Sequence, residues 1–546
     1  MYRNRKLSVL LAVLLAFSML LSACSSNTST ETTPPPAQTG TDEPELTGDM
    51  YGGDLVVCNG YVSNTMDAHY SGKLTANYQW MRAIYEPAII VGSDGKIYPL
   101  VCDYDYSDDG LTLKLTVRDR RFSNGEKITI EDVVASYERL AAIGGAFGDS
   151  VMQYVDSMTI DGDTATIVFN TFSPLFLTQL GDVRGPAYIM PKEIAEKYGT
   201  EQINDMKDVI GSGAYILETY NPDVEIKMVR NENYDIVEPG GPGAASPRHA
   251  YLDSIKYAMN TDQASETAGI IAGDYHVGDV LPAMQPYAEQ LGIKRVPLYN
   301  QWTHAIFFNL SEDNKDSIVQ NVNFRKAVRA ALDMKAVALS IFNGDETRFY
   351  LDSSPIAKEA VDYYNDIIEK TEWNIADKDL AKQYLEASGY NGEEVVLLAS
   401  ADTAFYRQAM AIIPQLEEIG INIRLWTVDS GSHSGLRSDP ASGFDIGSWE
   451  NQKALANPLE CVSMVTGTFG GWWTNDKKTE LLDRMYASKT GSPESIEAYK
   501  EFCQLLADEV PWIGFCTAIT NKFTAANLEL NSEGTTTYYW NSYFVK

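Results

Sequence analysis

The chain has 546 residues, of which 44% are hydrophobic and 22% charged, the composition of an ordinary globular protein long enough for two or three packed domains. Its 75 acidic residues outnumber 43 basic ones, and the formal net charge of −32 repels nucleic acid and anionic lipid, which argues against a nucleic-acid partner. The cysteines show no CxxC spacing and no two of the five histidines stand at i, i+4, so zinc, thiol–disulfide and dedicated metal sites are unsupported.

At the N-terminus, Arg3, Arg5 and Lys6 precede an uncharged apolar run, Leu7 to Leu20. That run is too short to span a bilayer, which needs about 20 apolar residues. The following Leu21-Ser22-Ala23-Cys24 resembles the lipobox of a bacterial lipoprotein. The resemblance implies that residues 1–23 are a signal peptide and that Cys24 is lipidated. Two acyl chains would then hold the protein on the extracytoplasmic face of the cell membrane. Residues 24–50 contain no aromatic residue and little that is apolar, so they read as a disordered tether, with Pro34-Pro35-Pro36 locally extended. The Thr/Pro-rich tether favours a Gram-positive cell surface over a periplasm.

Folded structure is expected from Tyr51. Asp54 to Cys58 reads as a buried strand and Thr112 to Val117 as an alternating one, followed by an Asn124-Gly125 turn. Thr129 fits a helix N-cap, with Asp132 in a capping-box position. Further on, Asp377 to Ser388 predicts a helix ended by Gly389, and Val395 to Leu398 a buried strand. A helix follows over Thr403 to Ile419, bent at Pro414 and stopped by Gly420, and then a strand over Ile421 to Leu425. This alternation predicts an α/β lobe with a largely parallel sheet. Of the cysteines after Cys24, Cys58 and Cys516 read as buried apolar residues. Cys102 carries no signal, and a Cys461–Cys503 bridge stays open.

Several segments share their order and spacing with one family. They include Asn64-Thr65-Met66-Asp67, Tyr85-Glu86-Pro87, Arg121-Phe122-Ser123-Asn124-Gly125 and Gly211-Ser212-Gly213-Ala214-Tyr215. Arg230-Asn231-Glu232-Asn233-Tyr234, Phe308-Asn309, Phe324-Arg325-Lys326-Ala327 and Ala381 to Tyr390 continue the series. Together they resemble family 5 of the bacterial extracellular solute-binding proteins, the peptide/nickel class that serves ATP-driven (ABC) importers. The resemblance implies a two-lobed, periplasmic-binding-protein-like α/β fold (type II, cluster C) with an extra inserted domain. It implies a first lobe from residues 51–82, 206–305 and 520–546, an inserted domain at 83–205, and a second lobe at 306–519. It further implies hinge closure around a small solute such as a peptide, and the departure at Gln452 described below leaves room for peptide-like molecules or glycans. The partners would be an ABC permease with its ATPase subunits, the protein being a monomer without cofactor.

Peptide binders of this family pair the peptide's ammonium with an Asp. The matching position here is Gln452, in Gly447-Ser448-Trp449-Glu450-Asn451-Gln452. A neutral amide supplies no counter-charge, and an unpaired buried ammonium is costly. Glu450 substitutes only if its side chain turns inward. Trp449 is the leading aromatic contact, with Trp302, His304, Tyr61 and Tyr70 as further pocket candidates. Trp472 and Trp473 read as packing inside the second lobe, and His304 and His433 are the candidates for a nickel–chelate contact. An enzyme is disfavoured, a secreted glycoside hydrolase included, because GxSxG, HExxH and P-loop motifs are missing and scattered carboxylates locate no acid pair. A sensor presenting solute to a membrane receptor stays open beside transport.

Overall fold

The computed structural model describes residues 50–546 apart from 73–74, 145–151, 402, 469–470 and 534–535. The signal peptide, Cys24 and nearly all of the tether lie outside the described residues. No described helix is long and apolar enough to cross a membrane.

The strands, in chain order, are β1 (Asp54–Asn59), β2 (Ile89–Val91), β3 (Ile97–Pro99), β4 (Cys102–Tyr106), β5 (Thr112–Val117), β6 (Val155–Asp161) and β7 (Thr164–Phe169). Then come β8 (Tyr215–Asn221), β9 (Glu225–Arg230), β10 (Ser254–Met259), β11 (Val277–Gly278), β12 (Lys294–Phe308) and β13 (Phe349–Leu351). The last are β14 (Val395–Ser400), β15 (Ile423–Val428), β16 (Ile446–Gln452), β17 (Trp512–Thr524), β18 (Leu528–Glu533) and β19 (Thr536–Phe544).

Among the described residues eleven strands form one sheet in the order β15-β14-β16-β12-β17-β11-β1-β10-β9-β8, with β13 added beside β17. At one end β14 runs parallel to both β15 and β16. The sheet becomes mixed because β12 is antiparallel to both β16 and β17. These two long strands carry the fold from one lobe to the other. Lys294 to Tyr299 pair with β17, and from Trp302 onward β12 also pairs with β16; between them the register shifts. The expected lobe boundaries at 305/306 and 519/520 both fall inside this pair of strands.

The apolar run Ala305-Ile306-Phe307-Phe308 shows why this part of the sheet is buried on both faces. Ile306 and Phe308 enter a core with the helices Val322–Ala331, Met334–Ile341 and Ala404–Glu418. Ala305 and Phe307 enter the opposite core, with the helices Asp476–Tyr486 and Pro493–Glu509. A sheet so covered needs a continuous apolar stretch rather than an alternating one. A separate antiparallel sheet, β4-β5-β7-β6, packs on the helix Ile130–Ile143. That helix begins with the expected capping box: the Asp132 carboxylate accepts from the Thr129 N–H at 2.7 Å and from its hydroxyl at 2.8 Å.

Buried charge joins distant segments. The Glu86 carboxylate meets Arg120 at 2.6 Å and Arg248 at 3.0 Å, and accepts from Ser212 at 2.9 Å and Tyr234 at 3.1 Å. Burial alone would raise this carboxyl; the two guanidiniums overcome it and hold it below its ordinary value. Arg325 lies 3.6 Å from Glu509 and donates to the Glu509 and Val510 carbonyls at the end of a neighbouring helix. Gly213 is confined by close approach, since a methyl group there would stand 2.4 Å from the Ala83 carbonyl oxygen. Cys58, Cys102, Cys461, Cys503 and Cys516 are buried thiols; Asn451 and Ser463 contact the Cys461 sulfur, and Asn365 that of Cys503.

Candidate ligand cavity

The register of β12 against β16 assembles the site. Trp302 stands opposite Gln452, Thr303 opposite Asn451, His304 opposite Glu450 and Ala305 opposite Trp449. Because side chains alternate, Trp302, His304, Glu450 and Gln452 share one face and Trp449 takes the other. β14 pairs with β16 only at Ile446 and Gly447, so beyond that point the described outer edge of β16 has no neighbouring strand. The short helix Ser430–Leu436, capped by Asp429, reaches over this edge.

A cavity of about 380 Å³ results. Trp302, Glu450 and Gln452 line it from the sheet, and His433, Ser434 and Arg437 line it from the short helix and the residue after it. Ser400, Phe405 and Ser430 close the end of β14. The Glu450 side chain therefore does turn inward, onto the wall it shares with Gln452. Burial raises its carboxyl above the ordinary value, and Arg437 offsets part of that rise. Burial lowers the Arg437 guanidinium in turn, offset by Glu450. The His433 ring is stacked near Phe405 and is pushed down to about 4, first by burial and then by Arg437, so it is neutral at pH 7.

The other expected residues lie elsewhere. Trp449 is 1% exposed and stacks on Phe307 with centroids 4.6 Å apart and planes 9° apart. Its ring lies back over Gly447, where an added methyl would come within 1.8 Å of it. It therefore forms part of the core behind the wall and is not among the residues lining the cavity. His304 sits two pairs along from Trp302, buried between Phe342 and Phe405. Tyr61 is 59% exposed and the Tyr70 hydroxyl donates to the Thr200 carbonyl; neither borders the cavity. Trp472 packs against Phe444, and Trp473 against Phe502 and Trp512, inside the second lobe. The contributions of Arg437 and Ser434 had no local signal, because Asp429-Ser-Gly-Ser-His-Ser-Gly435 has neither helical periodicity nor good helix formers. Among the described residues no group of three or more His, Cys, Asp or Glu could hold a metal ion.

A second cavity of about 430 Å³ shares no lining residue with the first. It lies where Tyr104, Tyr106 and Phe172 face Asp362 and Lys489. Lys489 Nζ donates to the Ser107 carbonyl at 2.6 Å, and Thr490 Oγ1 to the Pro174 carbonyl at 2.7 Å, so this seam is held by direct hydrogen bonds.

Comparison with known proteins agrees with this architecture. The probable peptide ABC transporter periplasmic-binding protein y4tO of Sinorhizobium fredii is 25% identical over 454 residues, 79% of this chain and 82% of its own length. Oligopeptide-binding protein AppA of Bacillus subtilis is 23% identical over 94% of this chain and 93% of its own length. The crystal structure of the ABC transporter substrate binding protein CtaP of Listeria monocytogenes superposes with a TM-score of 0.75 at 18% identity, covering 91% of this chain and 100% of that one. At that identity the likeness speaks for the two-lobed fold. The sequence profile of the bacterial extracellular solute-binding proteins, family 5 (middle region) matches residues 96–472, and the chain belongs to that family.

Proposed function

We propose that this protein captures peptides with a free amino terminus and delivers them to an ABC permease and its ATPase subunits, the partners its family implies. The observation that carries the reading is the Glu450 carboxylate on the cavity wall beside neutral Gln452. A half-buried carboxylate there supplies the counter-charge that an ammonium needs on leaving water. The printed names of the relatives, a probable peptide transporter component and an oligopeptide-binding protein, support the same ligand class. Trp302 offers a ring for the ligand's apolar surface, and Gln452 an amide for its backbone. Lipid attachment at Cys24, action as a monomer, and residues 83–205 as the inserted domain complete the proposal. The family is one of solute-binding proteins, which argues against an enzyme.

Micromolar capture corresponds to about −8 kcal/mol, within reach of one ammonium–carboxylate contact and a few packed groups. The test is mass spectrometry of what the protein, purified without unfolding, releases on denaturation. Short peptides with unmodified amino termini are expected; release of sugars or metal chelates alone rejects the peptide assignment.

A further inference from the structure

The second cavity, of about 430 Å³, has no part in the proposed function. Its size falls within the range of small-molecule sites, about 300–1,000 Å³. Its walls come from segments far apart in the chain. Strand β4 and the residues after β7 form one wall, and Lys489 to Gly491, between the helices Asp476–Tyr486 and Pro493–Glu509, form another.

Tyr104 and Tyr106 stand two apart on β4, so both rings point to the side that buries Cys102. The core covers only part of each ring. Their hydroxyls are already engaged: Tyr104 donates to the Ile97 carbonyl at 3.2 Å and Tyr106 to the Gly110 carbonyl at 3.0 Å. They therefore offer the cavity ring surface, which Phe172 extends. Lys489 Nζ, 5.3 Å from the centre of the Tyr106 ring, sets a donor beside that surface.

Charge around the rings is balanced. The lining holds two carboxylates, Asp94 and Asp362, and two ammoniums, Lys96 and Lys489. A cation entering meets the lysines and an anion the aspartates, each with part of its hydration lost. A neutral molecule bearing hydroxyls meets neither penalty, because a hydroxyl donates to a carboxylate and accepts from an ammonium. Asp94 is held ready for such a contact. Its Oδ1 accepts from the Lys96 backbone N–H at 3.1 Å and its Oδ2 from the Tyr98 hydroxyl at 2.8 Å, and a carboxylate oxygen accepts more than one bond. A sugar complements this combination: its C–H face lies on an aromatic ring while its hydroxyls reach the charged rim.

We propose that this seam is a second ligand site and that it takes a neutral sugar. The assignment stands apart from the peptide reading, since the two cavities share no lining residue.

Titration calorimetry on the folded protein at pH 7 tests it with glucose, N-acetylglucosamine, maltose and cellobiose, each raised to about 10 mM. At least one is expected to bind saturably, with a Kd of about 1 mM or tighter. Asp362 is exposed on the rim, so Asp362→Ala should leave the urea midpoint unchanged. It should weaken sugar binding about tenfold, the worth of one hydrogen bond to a charged group. Tyr106→Leu, which removes a ring, should weaken it by about as much. Silence from all four sugars overturns the proposal. So does a sugar that binds both variants as tightly as the parent, because it then sits elsewhere. A loss confined to Tyr106→Leu keeps the site and removes Asp362 from it. Heat from dialanine that Asp362→Ala abolishes, with the sugars silent, gives this cavity to peptides and ends the sugar assignment.

Discussion

Replacing Gly447 by alanine should unfold the protein at markedly lower urea, and only while Trp449 is present. The added methyl carbon would stand 1.8 Å from one Trp449 ring carbon and 2.7 Å from two others. The ring has no easy retreat, because one face lies on Phe307 with centroids 4.6 Å apart and Phe444 and His433 pack around it. Overfilling a packed site costs roughly 1–3 kcal/mol, and this overlap belongs at the upper end, about 3 kcal/mol. Trp449→Ala alone should cost about 4 kcal/mol through the cavity it leaves. That same cavity accepts the methyl group introduced by Gly447→Ala, so the second substitution should add less than about 1 kcal/mol in the double variant. The coupling is then about 2 kcal/mol or more in favour of the double variant. The assay is urea unfolding followed by circular dichroism for the parent, both single variants and the double. Costs that add to within about 0.5 kcal/mol would refute the stacked arrangement of Gly447, Trp449 and Phe307.

Lys453 and Asp352 form an ion pair with both side chains fully buried. Lys453→Met should destabilise by about 3–5 kcal/mol because it strands a buried carboxylate, and Lys453→Met with Asp352→Leu should recover most of the loss in urea midpoint. His304 is pushed down to about 4, by burial first and Arg407 second, from an ordinary 6.5. It is uncharged when folded, so its share of stability is whole above pH 6.5 and drains as pH falls toward 4. Between pH 7 and 5 the parent should therefore lose about 2 kcal/mol more than a His304→Gln variant, read as the difference in their urea midpoints. Cys24→Ser should move the protein from the membrane fraction to the soluble one; retention in the membrane fraction rejects lipid attachment.

What could be read from the amino-acid order was local. The Thr129 cap, the turn at Gly125 and the buried run at Val395 each depend on neighbours within a few positions, and each stands where it was expected. Ile423–Val428 begins two residues later than expected because Ile421 packs into the core at the end of the preceding helix. The expected parallel sheet failed at β12 and β17, whose partners stand 214 positions apart at Thr303 and Thr517. No short-range pattern reports such a pairing. The same limit governed the site. Glu450 and Gln452 lie in one motif on β16, and Trp302 faces Gln452 from β12. Which face Trp449 takes depends on its packing over Gly447 and against Phe307. Arg437 enters the cavity from a Ser/Gly-rich segment with no periodicity to betray it.

The central ribbon of β12 and β17 also constrains how the molecule comes into being. Each half of the protein borrows its innermost strands from this ribbon, so neither half is an autonomous building block. Synthesis delivers β12 more than two hundred residues ahead of its partner, and until β17 emerges both halves lack a middle. Neither half can therefore close its sheet until the last quarter of the chain has been made.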